Sequence, residues 1–283
     1  MICLRKLQKA LPLLLVFCSL VFISYAQGGK LKGSRVLVYT KNGKGYVHDN
    51  IPSAVAAIKE LGKQNGFAVD VADTSLVFTE DNLKKYNMLI FTSTNNDVFA
   101  TDEQRVAFRR YIEAGGGFVG VHSVTGTERN WHWFKMMIGE TFTWHARYQR
   151  FTVKKIDPTH PSMQGVPDEW SREDECYFGK ELYPGIRVLM AHDLKTLNMS
   201  DTAQAKLLQK NQGPFSDYFP AVWWQPFEGG NIWITTLGHN KDSYQEPVYR
   251  NHLLQGITFI ASRFKGINYA NAHATTKDDP LKK

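Results

Sequence analysis

The stretch Gly115-Gly116-Gly117-Phe118-Val119-Gly120-Val121-His122-Ser123 constrains this chain more than any other. Glycines close a helix, a short apolar run follows as a strand covered on both faces, and a histidine stands where the strand ends. In an open α/β sheet the carboxyl ends of the strands form the edge where ligands bind. Many α/β enzymes place a Ser or Cys nucleophile at such a sharp strand-exit turn. Here the position holds His122, which makes it the first candidate functional residue.

The surrounding pattern supplies the sheet. Arg35–Thr40, Ala68–Ala72 and Asn87–Thr92 read as strands, each a compact apolar run, and Phe118–Val121 is the fourth. Ile51–Gln64 has helical spacing with Pro52 in its first turn, Thr79–Tyr86 is a short helix capped by Thr79, and Thr101-Asp102-Glu103-Gln104 opens a third with a capping box. This βαβαβαβ rhythm predicts a mostly parallel sheet with helices on both faces. Beyond it, Arg129–Ile138 reads as a helix, Arg150–Ile156 and Arg187–Ala191 as strands, and Phe219–Gln225 with Asn231–Leu237 as an antiparallel hairpin. Pro247–Arg263 closes the fold as a helix, and the polar tail from Asn268 is expected to be loose.

The amino terminus reads differently. Arg5, Lys6 and Lys9 precede an apolar segment, Leu11–Ile23, and Ser24-Tyr25-Ala26 offers a small-residue cleavage site. That is the pattern of a secretory signal peptide over residues 1–26, too short for a comfortable membrane span. Bulky Phe17 before Cys18 argues against lipid anchoring there. A linker (27–34), one domain (35–265) and a tail (266–283) follow, with export to the periplasm or beyond expected and no stable membrane insertion after cleavage. Only Cys176 then remains, so no intramolecular disulfide is expected. Three of the 34 basic residues lie in the leader, which lowers the excess over 27 acidic residues from +7 to +4. With no arginine-rich run, nucleic acid is not an expected partner, and the oligomeric state is left open.

Loops after the first, third and fourth strands and after the last one emerge at one sheet edge. They carry His48, then Asn95 and Asn96, then His122, then His239. His122, His239 and His48 are candidate catalytic acids and bases, since imidazole titrates near neutrality. His122, His145, Glu175 and His239 are candidate ligands for a divalent metal such as zinc, assembled in three dimensions because no local metal signature is present. Asn95, Asn96, Trp131, Trp144 and Trp224 are candidate substrate contacts, tryptophan faces being suited to stacking on sugar rings. Trp223 and Trp224 are adjacent in a strand and so point to opposite sides. The acidic run Glu173-Asp174-Glu175 reads as a solvated face that raises the pKa of Cys176, which is expected to be inert, and His160 reads as a turn residue.

Taken together, Gly45-Tyr46-Val47-His48-Asp49-Asn50-Ile51, the glycine-rich stretch to His122, the Gly139/Phe142/His145 cluster, His160-Pro161, Asp174-Glu175-x-Tyr177, Pro220-Ala221-Val222-Trp223 and Ile234–His239 resemble the ThuA-like (trehalose utilisation) family over nearly the whole mature chain. The resemblance implies a three-layer α/β fold, flavodoxin-like and class I glutamine amidotransferase-like, with an added antiparallel hairpin. His122 then stands where amidotransferase relatives carry a catalytic Cys, so a Cys-dependent glutaminase is not expected. The resemblance further implies carbohydrate processing, including routes through 3-keto sugars, as a lyase or hydrolase using histidine and a divalent metal. The alternatives are a non-catalytic sugar-binding protein of a carbohydrate utilisation system and a metal-dependent hydrolase acting on an ordinary ester or amide.

Overall fold

The computed structural model describes residues 31–282; the segment expected to be a signal peptide, with Cys18, lies outside the described residues. No described helix is long and apolar enough to cross a membrane. In chain order the elements are β1 (Arg35–Tyr39), α1 (Ile51–Asn65), β2 (Ala68–Ala72), α2 (Glu80–Leu83), β3 (Met88–Thr92), α3 (Asp102–Glu113), β4 (Gly117–Val121), α4 (His132–Ile138), β5 (Thr141–His145) and β6 (Gln149–Lys155). They continue with β7 (Glu169–Asp174), β8 (Tyr177–Lys180), β9 (Arg187–Asp193), α5 (Thr202–Asn211), β10 (Tyr218–Phe227), β11 (Gly230–Thr235) and α6 (Pro247–Arg263).

Nine strands form one sheet in the order β2-β1-β3-β4-β11-β10-β9-β6-β7, and β5 pairs with β8 separately. From β2 to β11 all pairings are parallel. From β11 to β7 all are antiparallel. The antiparallel part is thus larger than the single expected hairpin. The hairpin itself turns at Glu228 and Gly229, both with positive φ, as a two-residue turn matched to strand twist requires.

Alternation along the central strands builds two apolar layers. Val36, Val38, Met88, Ile90 and Val119 face one side with Ala54 and Ile58 of α1 and Leu253 and Ile257 of α6. Leu37, Leu89, Phe91 and Phe118 face the other with Phe108 and Ile112 of α3 and Phe134 of α4. The glycines before β4 allow close packing. A Cβ on Gly116 would lie 2.2 Å from the Tyr111 ring, and one on Gly117 would lie 2.4 Å from Ile260.

The capping expectations resolve in detail. Thr101 Oγ1 accepts from Gln104 N at 3.4 Å, whereas the Gln104 side chain accepts from Ala100 N rather than from Thr101. The tail departs from expectation, because it is pinned. Buried Arg109 pairs with Glu113 at 2.9 Å and still has donors to satisfy, and it gives them to Lys277 O at 3.2 Å and Asp279 O at 2.6 Å. Glu113 accepts from the backbone of His273 and Ala274, at 2.8 and 2.9 Å. A buried guanidinium needs every donor paired, and the tail supplies the acceptors.

Candidate functional site

Four loops from the parallel half of the sheet converge with β5 and β8 around a cavity of about 400 Å³. His48 comes from the loop after β1, Asn95 from the loop after β3, and Ser123 follows β4. His239 follows β11, Glu175 lies between β7 and β8, and His145 ends β5. His122 itself is fully buried beneath this cavity, at the exit of β4, with φ +57°. Left-handed backbone on a non-glycine residue is strain that the surrounding fold must hold. The same sharp geometry presents nucleophiles in other α/β enzymes.

The histidine rings meet. Ring centroids of His48 and His122 are 4.5 Å apart, those of His122 and His239 5.4 Å, and those of His48 and His239 5.6 Å. Glu175 lies among them, with Oε2 3.1 Å from His239 Nδ1 and 4.0 Å from His122 Nε2. One donor atom each from His48, His122, Glu175 and His239 lies within 4.8 Å of the others. This set differs from the expected ligand group in one member: His48 replaces His145. The ring of His145 sits beside Glu175 instead, with Nδ1 3.4 Å from Oε1. The reason is topological, since His145 belongs to the separate β5–β8 ribbon and His48 to the strand-exit edge.

Hydrogen bonds set the tautomers. His122 Nδ1 lies 3.1 Å from Thr236 O; a carbonyl only accepts, so Nδ1 carries the proton and Nε2 the lone pair. Ser123 Oγ donates to Thr94 O at 3.1 Å and accepts from His48 Nδ1 at 3.2 Å, which frees His48 Nε2. Burial holds both rings neutral: it pushes the His122 pKa far below the ordinary imidazole value, and with repulsion from His239 it takes His48 down to about 4. For His239 burial also lowers the pKa, but contact with the Glu175 carboxylate outweighs it and the net shift is upward.

Neutral imidazoles with oriented lone pairs and one carboxylate suit zinc, whose bonds to N and O are about 2 Å. One donor atom from each of the four residues lies close enough to the others to face a single cation. The shell around them is in place. Asp174 accepts from Gly238 N at 2.8 Å and His239 N at 3.0 Å and so holds the His239 loop, while Tyr177 Oη donates to His122 Nε2 at 3.1 Å, a bond that a cation on that nitrogen would displace. Asp174 is buried and paired with Arg172 at 2.7 Å, and Glu175 is buried beside it, so of the acidic run only Glu173 faces solvent. A second group, Glu113, Glu228 and His273, also brings donor atoms together. There the guanidinium of Arg109 already stands between the carboxylates, and the group reads as an ion-pair network.

The tryptophans are not at the cavity. Trp131 is buried in the core against Phe99 and Trp133 and donates to Lys277 O. Trp144 packs on Phe178, and Trp224 packs on Phe259 beneath Arg263. Large apolar rings gain more from these clusters than from an open rim. Asn96 is spent locally, donating to Lys44 O at 3.1 Å and holding the first loop. The aromatic wall is made instead by Tyr46, Phe142 and Tyr177. Tyr46 lies two residues from His48 and Tyr177 two from Glu175, an alternation that would have found both; Arg129 of the same cavity gave no such signal. Cys176 is buried, and burial raises its thiol pKa well above the ordinary value. His160 caps the short turn at Pro161–Met163.

Comparison with known proteins bears on the family and the fold. The profile of the ThuA family, described as trehalose utilisation, matches residues 35–260. The chain belongs to the ThuA family. That membership relates it to carbohydrate utilisation. Among solved structures, it is similar to a ThuA-like protein from Bacteroides uniformis at 21% identity and TM-score 0.65, covering 85% of this chain and 97% of the other. A ThuA-like protein from Parabacteroides merdae is 17% identical at TM-score 0.63, covering 86% and 100%. A GMP synthase subunit from Thermoplasma acidophilum is 10% identical at TM-score 0.50, covering 81% and 94%. No curated protein matches the chain significantly. At these identities the structural likeness speaks for the fold, a ThuA and amidotransferase-like α/β sheet.

Proposed function

We propose that this ThuA-family protein is an exported carbohydrate-processing enzyme that cleaves a 3-keto-glycoside at the cavity beside His48, His122, Glu175 and His239. The convergence of three histidines and a carboxylate from four separate loops carries this reading. Those four residues would hold a divalent cation such as zinc, which when bound supplies Lewis-acid stabilisation to a developing oxyanion. The secretory pattern at residues 1–26 supports export.

His145 lies outside the ligand group and lines the cavity. Its Nδ1 faces Ala146 O at 3.0 Å, which places the proton on Nδ1 and leaves Nε2 as a base. A ketone at C3 acidifies the C2 hydrogen. His145 takes that proton, the electron pair enters the C1–C2 bond, and the C1–O glycosidic bond breaks. The departing oxygen takes a proton from the imidazolium, and addition of water across the new double bond completes cleavage. Tyr46 and Phe142 supply ring faces for the sugar.

Metal analysis of the purified protein, followed by assay of a 3-keto-glycoside against the plain glycoside, tests this. Turnover of the keto form alone, lost in His145→Ala with metal retained, is the expected result. Binding of both sugars with turnover of neither would instead make the protein a sugar-binding module.

A further inference from the structure

Arg129 stands apart from the other charged residues of the cavity. Arg129, Arg250 and Arg263 are the described arginines without a carboxylate partner, and of these only Arg129 lines the site. It is exposed at the mouth yet held in place. Nε donates to Gly126 O at 2.9 Å, Nη2 donates to Asn95 Oδ1 at 3.1 Å, and the guanidinium lies 5.4 Å from the Phe142 ring centroid. These contacts use the Nε side of the group. The outer edge, Nη1 with the second Nη2 hydrogen, is left as a two-pronged donor.

The charge balance points the same way. Among the described residues Glu175 is the cavity's one carboxylate, and it already faces His239 and His145. A cation at the ligand group would leave the cavity more positive still. An arginine whose carbonyl and amide partners fix its orientation has less rotamer freedom to lose on binding an anion, and a planar fork matches a carboxylate in two parallel hydrogen bonds. Among the described residues no lysine lines the cavity to help neutralise a phosphate dianion.

We propose that Arg129 is a specificity-determining residue that binds a carboxylate on the sugar, so that the substrates of this site are uronic-acid glycosides. The proposal rests on the carbohydrate reading of the cavity but not on its chemistry, since it concerns binding alone.

The experiment compares methyl β-D-glucuronide with methyl β-D-glucoside by calorimetry on the zinc-loaded protein; the two differ only in a carboxylate for a hydroxymethyl group. The glucuronide is expected to bind about tenfold more tightly, the share of a charge-assisted hydrogen bond that survives at an exposed site. In Arg129→Gln the preference is expected to vanish while zinc content and thermal unfolding are unchanged. Equal binding of the two sugars, or a preference that survives in Arg129→Gln, overturns the proposal. Glucose 6-phosphate forms a third arm, and tighter binding of it than of the glucuronide overturns the assignment to a carboxylate. Loss of zinc binding on substitution of His48 is read separately and bears only on the ligand group.

Discussion

Asp174 accepts the backbone N–H of His239 at 3.0 Å, while the next residue, Glu175, places its carboxylate 3.1 Å from the ring of that histidine. Two adjacent acids thus divide the work, one fixing the loop and the other meeting the imidazole. Gly238 permits the arrangement: its φ is +111°, and a Cβ there would lie 2.0 Å from Tyr249 Oη.

Asp174→Asn separates these roles. The asparagine keeps the shape but cannot accept from both amides while neutralising Arg172, whose side chain is 2% exposed. Breaking a buried ion pair costs roughly 3–5 kcal/mol, and losing a partner that orients a ligand costs about 10–100-fold in metal affinity. Thermal unfolding and zinc titration should show both losses. Unchanged zinc affinity would mean that the His239 loop holds its position without Asp174.

His48→Ala and Glu175→Gln address the ligand group directly. If the four side chains hold zinc, the metal stabilises the folded chain by about 2.7 kcal/mol at a hundredfold excess over Kd. Adding a chelator should then lower Tm in the wild type and leave either variant unmoved. His145→Ala should retain the chelator response, because His145 is not among the converging donors. A chelator response that disappears in His145→Ala but persists in His48→Ala would restore the ligand set expected from sequence.

Much of the fold was legible because buried strands and capped helices leave local signatures. Phe118–Val121 and the Thr101 cap are read from neighbouring residues alone, and so is the strand-exit position of His122. The exchange of His145 for His48 was not legible, since it depends on the β5–β8 ribbon leaving the main sheet. The tryptophans misled because ring chemistry is the same in a core and at a sugar site. What separates Trp131 from Tyr46 is the company of Phe99 and Phe108, which only the folded chain reveals. Nor does a polar tail announce that a buried arginine waits for its carbonyls.

That tail gives a third test. Removing residues 268–283 strips Arg109 of the acceptors at Lys277, Asp279 and Pro280, and strips Glu113 of two amide donors. Each unpaired buried group costs about 1–3 kcal/mol. The truncated protein should melt at a clearly lower temperature. A Tm within a degree or so of the full chain would show that water or a rearranged Glu228 satisfies the arginine.

Glu140 carries the pH prediction. It is buried between Gly139 and β5, neither carboxylate oxygen has a hydrogen-bond partner, and burial pushes its pKa up to about 8 from 4.5. Gly179 makes room for it, since a Cβ there would lie 2.5 Å from Oε2. Between these two values the folded chain keeps the proton that the unfolded chain releases. The unfolded state then binds fewer protons, so stability falls as pH rises above 4.5, and the loss is complete once pH passes the folded pKa. Glu140→Gln has no such proton to lose. Its advantage over the wild type should therefore be small near pH 4.5 and grow by about 1.4 kcal/mol per pH unit until it levels off above pH 8. Denaturant unfolding of both proteins across that range measures the difference. A gap that stays constant with pH would show that the Glu140 carboxyl finds water or a partner and ionises at its ordinary value.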